Sequence, residues 1–318
     1  MAENLIDAHN LSRSFGGRAA VRNLDLTLER GEILGFLGLN GAGKSTTLRM
    51  LAGTLAPSAG RITIAGIDLL NAPKSAKRKL GYLPEQPPLH PELTVSEYLR
   101  FCAEIHGVPR PRIRHAVQAA QEKTGLTGVE RRLIRNLSKG YQQRVGIAQA
   151  ILHDPEVLLL DEPTVGLDPA QIQDIRTLIR SLGEAHSVIF SSHLLAEVQS
   201  LATRVIIIHE GQLAWSRPLT ALPSDRPAAS YRTGLRKAPS PERMVAQTGA
   251  REITPLEGGW FRIAPPQDAA GDFPERFLEQ AVREGWAPFG LVAEETSLET
   301  IFLELTRGVT PNAMESTP

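Results

Sequence analysis

Cysteine is nearly absent from this 318-residue chain. Cys102 stands alone, so no intramolecular disulfide and no thiolate metal cluster can form, which suits a reducing compartment and a buried, inert thiol. An excess of either charge is also missing: Lys+Arg and Asp+Glu are both 35. The chain therefore carries no bulk electrostatic footprint for nucleic acid, and none is expected as a partner. Long apolar runs are lacking too, the longest being Val157–Leu160 and Val205–Ile208, far below the length of a membrane span. The first residues, Met1-Ala2-Glu3-Asn4, show no basic segment followed by an apolar stretch, so a signal peptide is not expected. Any service to a membrane would then come from its cytoplasmic face and through a partner.

Against these absences, one stretch is dense with meaning. Gly38-Leu39-Asn40-Gly41-Ala42-Gly43-Lys44-Ser45-Thr46 follows the apolar run Ile33–Leu37 and fits G-x-x-x-x-G-K-[ST]. Glycines at these positions let successive backbone N–H groups turn inward around phosphate oxygens, and the following helix adds its positive end. Gly38, Asn40, Gly41, Gly43 and Thr46 are accordingly read as nucleotide-binding. Lys44 would reach the β- and γ-phosphates, and the Ser45 hydroxyl would complete the coordination of Mg²⁺.

The remaining pattern is that of an α/β chain. Leu5–Phe15 and Val21–Leu28 read as an antiparallel layer, the second with Leu24, Leu26 and Leu28 on one face. Strands are expected at 60–66 and 80–84, then a helical insertion at about 87–153, in which Thr94-Val95-Ser96-Glu97 is a capping box. Val157–Leu160 suits a central parallel strand that delivers Asp161 and Glu162 at its C-terminal end, where open α/β sheets bind ligands. A helix follows Asp168-Pro169, strands follow at 187–191 and 205–208, and His193 lies in the turn between them. Tyr82 and Phe101 are read as core aromatics. The first domain is placed at 1–218 and a linker at 219–227. The order β-α-β-β-α-β over 228–308 predicts a small α+β, ferredoxin-like domain. A last helix, begun by Thr296 or Ser297 and ended by Gly308, carries Leu298, Ile301, Phe302 and Leu305, and residues 309–318 read as a disordered tail.

A P-loop alone leaves many NTPases open, but Leu137-Ser138-Lys139-Gly140-Tyr141-Gln142-Gln143-Arg144 stands shortly before the acidic strand. With the P-loop, Gln86, Asp161-Glu162, Asp168 and His193 in that order, the chain resembles the nucleotide-binding subunits of ABC transporters over about Leu5–Arg217. The resemblance implies an ABC-type P-loop NTPase domain, with ATP and Mg²⁺ as its cofactors. It implies that Asp161 holds Mg²⁺, that Glu162 acts as general base or orients the water, and that Gln86 touches Mg²⁺ or that water. His193 would donate to the γ-phosphate. Phe15 would stack on adenine, with a locally packed turn aromatic as the alternative. Ser138 and Gly140 would bind the γ-phosphate of ATP held by a second protomer, and Asp168 would couple the two sites in a homodimer or with a paired ATPase subunit. Lys139 and Tyr141 depart from the commoner Leu-Ser-Gly-Gly-Gln pattern.

That variant octapeptide and Ser297-Leu298-Glu299-Thr300-Ile301-Phe302-Leu303 resemble the ABC-2 export branch, in particular its gliding-motility-type ATPases. The placement implies a separate ABC-2 integral membrane permease, touched by the helical insertion and the Gln86 region. The alternative is a soluble ABC-type ATPase acting on a nucleic-acid or ribosome-linked process. The C-terminal domain is read as a dimerisation module.

Overall fold

The computed structural model describes residues 3–219, 230–266, 272–294 and 298–306. The chain divides into two compact units, with the boundary between Leu219 and Thr220. The first unit runs β1 (Asn4–Phe15), β2 (Arg18–Glu29), β3 (Ile33–Leu37), α1 (Lys44–Leu51), β4 (Ala59–Ile64), β5 (Ile67–Asp68), α2 (Pro73–Lys77) and β6 (Leu80–Leu83). The helical segment α3 (Val95–Ile105), α4 (Arg110–Lys123) and α5 (Lys139–Ile151) comes next. The unit is completed by β7 (Val157–Leu160), α6 (Pro169–Gly183), β8 (Ser187–Ser192), α7 (Leu195–Leu201), β9 (Arg204–His209) and β10 (Gln212–Pro218).

Two sheets share one core. The six-stranded sheet has the order β10-β9-β3-β8-β7-β6, parallel except for β10, and the antiparallel layer has the order β2-β1-β4-β5. Every residue of β3, β7 and β8 is buried, as central strands covered on both faces must be, and β8 does so with serines at both ends of its apolar Val188–Phe190. Leu24, Leu26 and Leu28 of β2 point into the same core as Leu34, Phe36 and Leu48. Each such side chain contributes roughly 1.5–3 kcal/mol on burial. Arg204 ties the two layers at their edge, donating to Glu32 and to the Thr27 carbonyl at 2.6 Å.

The capping box forms as its sequence predicts: Thr94 Oγ1 accepts from the Glu97 backbone, and the Glu97 carboxylate accepts from Thr94 N at 2.9 Å. The helical stretch breaks at Gly107, whose φ of 74° turns the chain out of α3 while Val108 N closes onto the Ala103 carbonyl at 3.0 Å, and α4 starts after Pro109. Tyr82 packs against the core, and Cys102 is buried. Phe101 corrects the sequence expectation: it is 45% exposed, with its ring T-shaped to that of His90 at 5.8 Å, because it lies on the outer face of α3 beside exposed Ile105.

Where α5 ends, the His153 ring stacks on His106 with centroids 4.3 Å apart and donates from Nε2 to Leu80 O. Burial, and then the charge of His106, push the His153 pKa down from 6.5 to about 4. Between those two values the unfolded chain takes up a proton that the native site refuses, so stability falls as the pH drops through that window and levels off below it. The expected loss is about 3 kcal/mol, at about 1.4 kcal/mol for each tenfold rise in proton concentration across it. Thermal melts across the window should show a shallower acid slope for His153→Gln than for wild type; equal slopes would contradict this.

The second unit contains β11 (Ser230–Leu235), α8 (Pro241–Thr248), β12 (Glu252–Pro255), β13 (Trp260–Ala264), α9 (Phe273–Arg283), β14 (Pro288–Glu294) and α10 (Leu298–Thr306). Its sheet is antiparallel throughout with the order β12-β13-β11-β14, the strand order of a β-α-β-β-α-β sandwich. Met244, Phe273 and Phe277 of the helices meet Tyr231, Ile253 and Ile263 of the sheet. Leu298 and Ile301 are buried and Leu303 is exposed, in keeping with the expected stripe. Most of the expected linker, both expected ends of the last helix and the 309–318 tail fall outside the described residues.

Candidate functional site

The site is built at the C-terminal ends of β3, β7 and β8, which lie side by side. After β3 the chain loops from Gly38 to Gly43 and enters α1 at Lys44. Gly43 occupies the cap position with φ 107°, and a Cβ there would stand 2.7 Å from the Ala20 carbonyl. A side chain at Gly38 would come equally close to the Ile208 carbonyl. Both obstacles are backbone and cannot swing away. Gly43→Ala is therefore expected to cost about 1–3 kcal/mol of stability and to abolish tight ATP binding. Melting temperature and an ATP titration read the two effects, and wild-type affinity in a folded variant would contradict the cradle.

Lys44 turns back over this loop. Its ammonium donates to Gly38 O at 2.8 Å and Leu39 O at 3.4 Å, and pairs with Glu162 Oε1 at 3.2 Å. Lys44 and Glu162 are only 6% and 7% exposed, so this ion pair is largely withdrawn from water. The second carboxylate oxygen of Glu162 is held at 2.8 Å by His193 Nδ1, which must carry the proton to donate. A neutral imidazole then has no hydrogen on Nε2. The resemblance implies that His193 donates to a phosphate; with Nδ1 on Glu162, a donation from Nε2 requires the imidazolium or release of Nδ1.

Asp161 lies beside this pair. Ser45 Oγ donates to its Oδ1 at 3.0 Å and Ser191 Oγ to the same atom at 2.7 Å. Ser191 Oγ also accepts from Glu162 N at 2.8 Å, so one hydroxyl fixes both acids. Glu162 has φ 45°, in the left-handed region, a local strain of about 1–3 kcal/mol that turns its side chain toward Lys44 and His193. Burial raises the Asp161 pKa above the usual carboxylate range, with Glu85 and Glu162 adding to the rise against the two hydroxyl bonds. A divalent cation would relieve that unfavourable charge. Among the described residues there is no group of three His, Cys, Asp or Glu suited to a metal ion. One carboxylate and one hydroxyl, Asp161 and Ser45, fit an ion that keeps several waters and takes phosphate oxygens, as Mg²⁺ does.

Other expected site residues stand apart from this cluster. Gln86 is exposed in the turn after β6, and none of the described hydrogen bonds joins it to Asp161 or Glu162. Phe15 ends β1, 46% exposed, with the Arg13 guanidinium 4.8 Å from its ring centroid. Ser138 caps α5 by accepting from Tyr141 N, and Asp168 caps α6 by accepting from Gln171 N at 2.9 Å. The two helix starts are neighbours: a Cβ on Gly140 would meet the Gln171 side chain, and one on Gly166 would overlap the Lys139 ammonium. Between them lies a cleft of about 170 Å³ lined by Ser138, Gly140, Tyr141 and Gln171. Among the described residues, no hydrogen bond or ion pair joins 138–140 to the 38–46 loop. Ser191 was missed by sequence reasoning; its only signal was a hydroxyl closing an apolar strand beside the candidate histidine.

A family model described as ABC transporter matches residues 21–165, which include the phosphate loop, the octapeptide and both acids. The chain is 40% identical over 220 residues to the bacitracin transport ATP-binding protein BcrA of Bacillus licheniformis, covering 69% of this chain and 71% of that protein. It is 39% identical over 205 residues to the ABC transporter ATP-binding protein NatA of Bacillus subtilis, covering 64% and 83%. Among solved structures, a dimeric ATP-binding cassette in a post-hydrolysis state, bound to ADP and Pi, matches with TM-score 0.61 and 25% identity, over 67% of this chain and 98% of that one.

Proposed function

The chain belongs to the ATP-binding proteins of ABC transporters, and from that premise we propose that it powers a separate ABC-2-type export permease by closing as a dimer around two ATP molecules. It binds and hydrolyses ATP. The observation that carries the dimeric reading is the separation of two half-sites. Lys44, Ser45, Asp161, Glu162 and His193 form one bonded cluster, whereas Ser138 and Gly140 open a second helix start with no bond to it. A second copy can bring that helix start to the phosphates, and both chains then gain a complete site.

The steps follow from the contacts. A triphosphate entering the 38–43 loop competes with Glu162 for the Lys44 ammonium and wins by its greater charge. Glu162 Oε1 is thereby released while His193 retains Oε2, so the carboxylate becomes a base aimed by its second oxygen. Mg²⁺, when bound by Ser45 and Asp161, supplies charge neutralisation at the phosphate oxygens. Burial of Glu162 keeps competing water away until closure completes the site.

The permease reading draws on a different surface. Phe101 and Ile105, four residues apart on α3, are 45% and 67% exposed and give the helical insertion an apolar ridge. We place the protein at the cytoplasmic face of the membrane, held there by the permease. Affinity purification of the tagged chain from solubilised membranes tests this. A polytopic membrane subunit is expected with the wild type and is expected to be lost with Phe101→Glu/Ile105→Glu. Salt-sensitive retention of RNA or DNA without a membrane subunit would overturn the export reading in favour of a soluble regulator.

A further inference from the structure

Glu197, in α7, is 1% exposed and takes no part in the cluster described above. A carboxylate so placed is costly unless its lone pairs are occupied, and here they are. Thr164 Oγ1 donates to Oε1 at 2.5 Å, and Ser192 Oγ donates to Oε2 at 2.7 Å. Arg176 Nη2, from α6, lies 3.9 Å from Oε1. The Nε of that arginine is buried with no hydrogen-bond partner among the described residues.

Each of these three partners belongs to a segment that delivers one site residue. Thr164 stands two positions after Glu162. Ser192 immediately precedes His193, and its hydroxyl also accepts from Leu194 N at 2.9 Å, which grips the chain on both sides of the histidine. Arg176 is on the helix capped by Asp168. From this convergence we infer that Glu197 is a positioning residue for ATP hydrolysis, holding the segments of Glu162, His193 and Asp168 in register from behind the site. Its carboxylate reaches neither Glu162 nor His193 directly; it acts through the Thr164 and Ser192 hydroxyls. A displacement of the His193 segment by about one ångström would spoil the aim of Glu162, while Lys44 keeps its bonds to the Gly38 and Leu39 carbonyls of the nucleotide cradle.

The inference rests on the hydrolytic roles of Glu162 and His193, and its test separates the two. Glu197→Asp keeps the charge but is one methylene too short to meet both hydroxyls; Glu197→Gln keeps the reach and can serve one hydroxyl as acceptor and the other as donor. Steady-state ATP hydrolysis by the folded full-length chain is expected to show kcat lowered about tenfold or more for Glu197→Asp, KM within about twofold, and kcat for Glu197→Gln back within about threefold of wild type. A merely structural role would lower the melting temperature of Glu197→Asp and leave kcat per folded molecule unchanged, and that result overturns the inference. A wild-type chain that does not hydrolyse ATP overturns the roles of Glu162 and His193, and the inference with them. If Glu197→Asp fails to fold, Ser192→Ala removes a single hydroxyl: a fall in kcat of about threefold or more at constant KM supports the network, and an unchanged kcat overturns it.

Discussion

Glu162→Gln is expected to lower ATP turnover by about 10²- to 10⁴-fold while ATP binding survives, the range associated with loss of a positioned base. Glutamine keeps the shape of the side chain and can still accept from His193 Nδ1 at the position of Oε2. It cannot take a proton from water. Its amide also cannot pair with the Lys44 ammonium, which now engages Glu162 Oε1 at 3.2 Å. Lys44 is then free for phosphate in the variant from the outset, so affinity for ATP should equal or exceed that of wild type. The expected species is an ATP-bound dimer, stable on a sizing column with ATP and dissociating with ADP. Hydrolysis at the wild-type rate in a single-turnover assay would remove Glu162 from the role of base.

Lys44→Ala acts on the same pair from the other side, with the opposite effect on binding. Loss of a charge-assisted contact of about 1.5–3 kcal/mol weakens ATP binding roughly 10- to 150-fold. The substitution also leaves Glu162 7% exposed with one oxygen unpaired, and deleting one member of a buried pair costs about 3–5 kcal/mol. His193 still holds the other oxygen, which places the expected loss toward the lower end of that range. The double variant Lys44→Ala/Glu162→Ala separates the two consequences. It should recover much of the stability lost by Lys44→Ala and none of the ATP affinity, because the two side chains share one contact and are not additive. Recovery of neither, or simple additivity in the melts, would show that the ion pair is not what Lys44 contributes to the fold.

The phosphate loop was legible because its glycines answer to backbone obstacles that any residue with a Cβ would strike, as at Gly38 and Gly43. Val157–Leu160 kept the same bounds in the structure because an apolar run that short, closed by Asp-Glu-Pro, has few other uses. The first helix expected between strands in 228–308 forms at Pro241–Thr248, where a proline follows a capping serine and a glycine with φ 71° ends it. What escaped were elements without a period of their own. The seven residues of α7 are too few to show a helical stripe, and β10 is an edge strand whose residues are exposed or half-buried along its length. Phe101 was misassigned because one aromatic on a helix does not declare its face. The contacts that define the site were less legible still: Lys44 with Glu162, Ser191 with both acids and Glu197 with three segments each join residues from different strands or loops. Motif spacing names Lys44, Asp161 and Glu162 but neither Ser191 nor Glu197, and it does not say which side chains touch before ATP arrives.

In the proposed dimer neither chain holds a complete site alone. ATPase rate per chain, measured over a dilution series with molecular mass read in parallel by light scattering, tests it most directly. The rate per chain is expected to fall with dilution in step with loss of the ATP-bound dimer, and Ser138→Ala to be nearly inactive at every concentration. A constant rate per chain in samples that light scattering shows to be monomeric would contradict it.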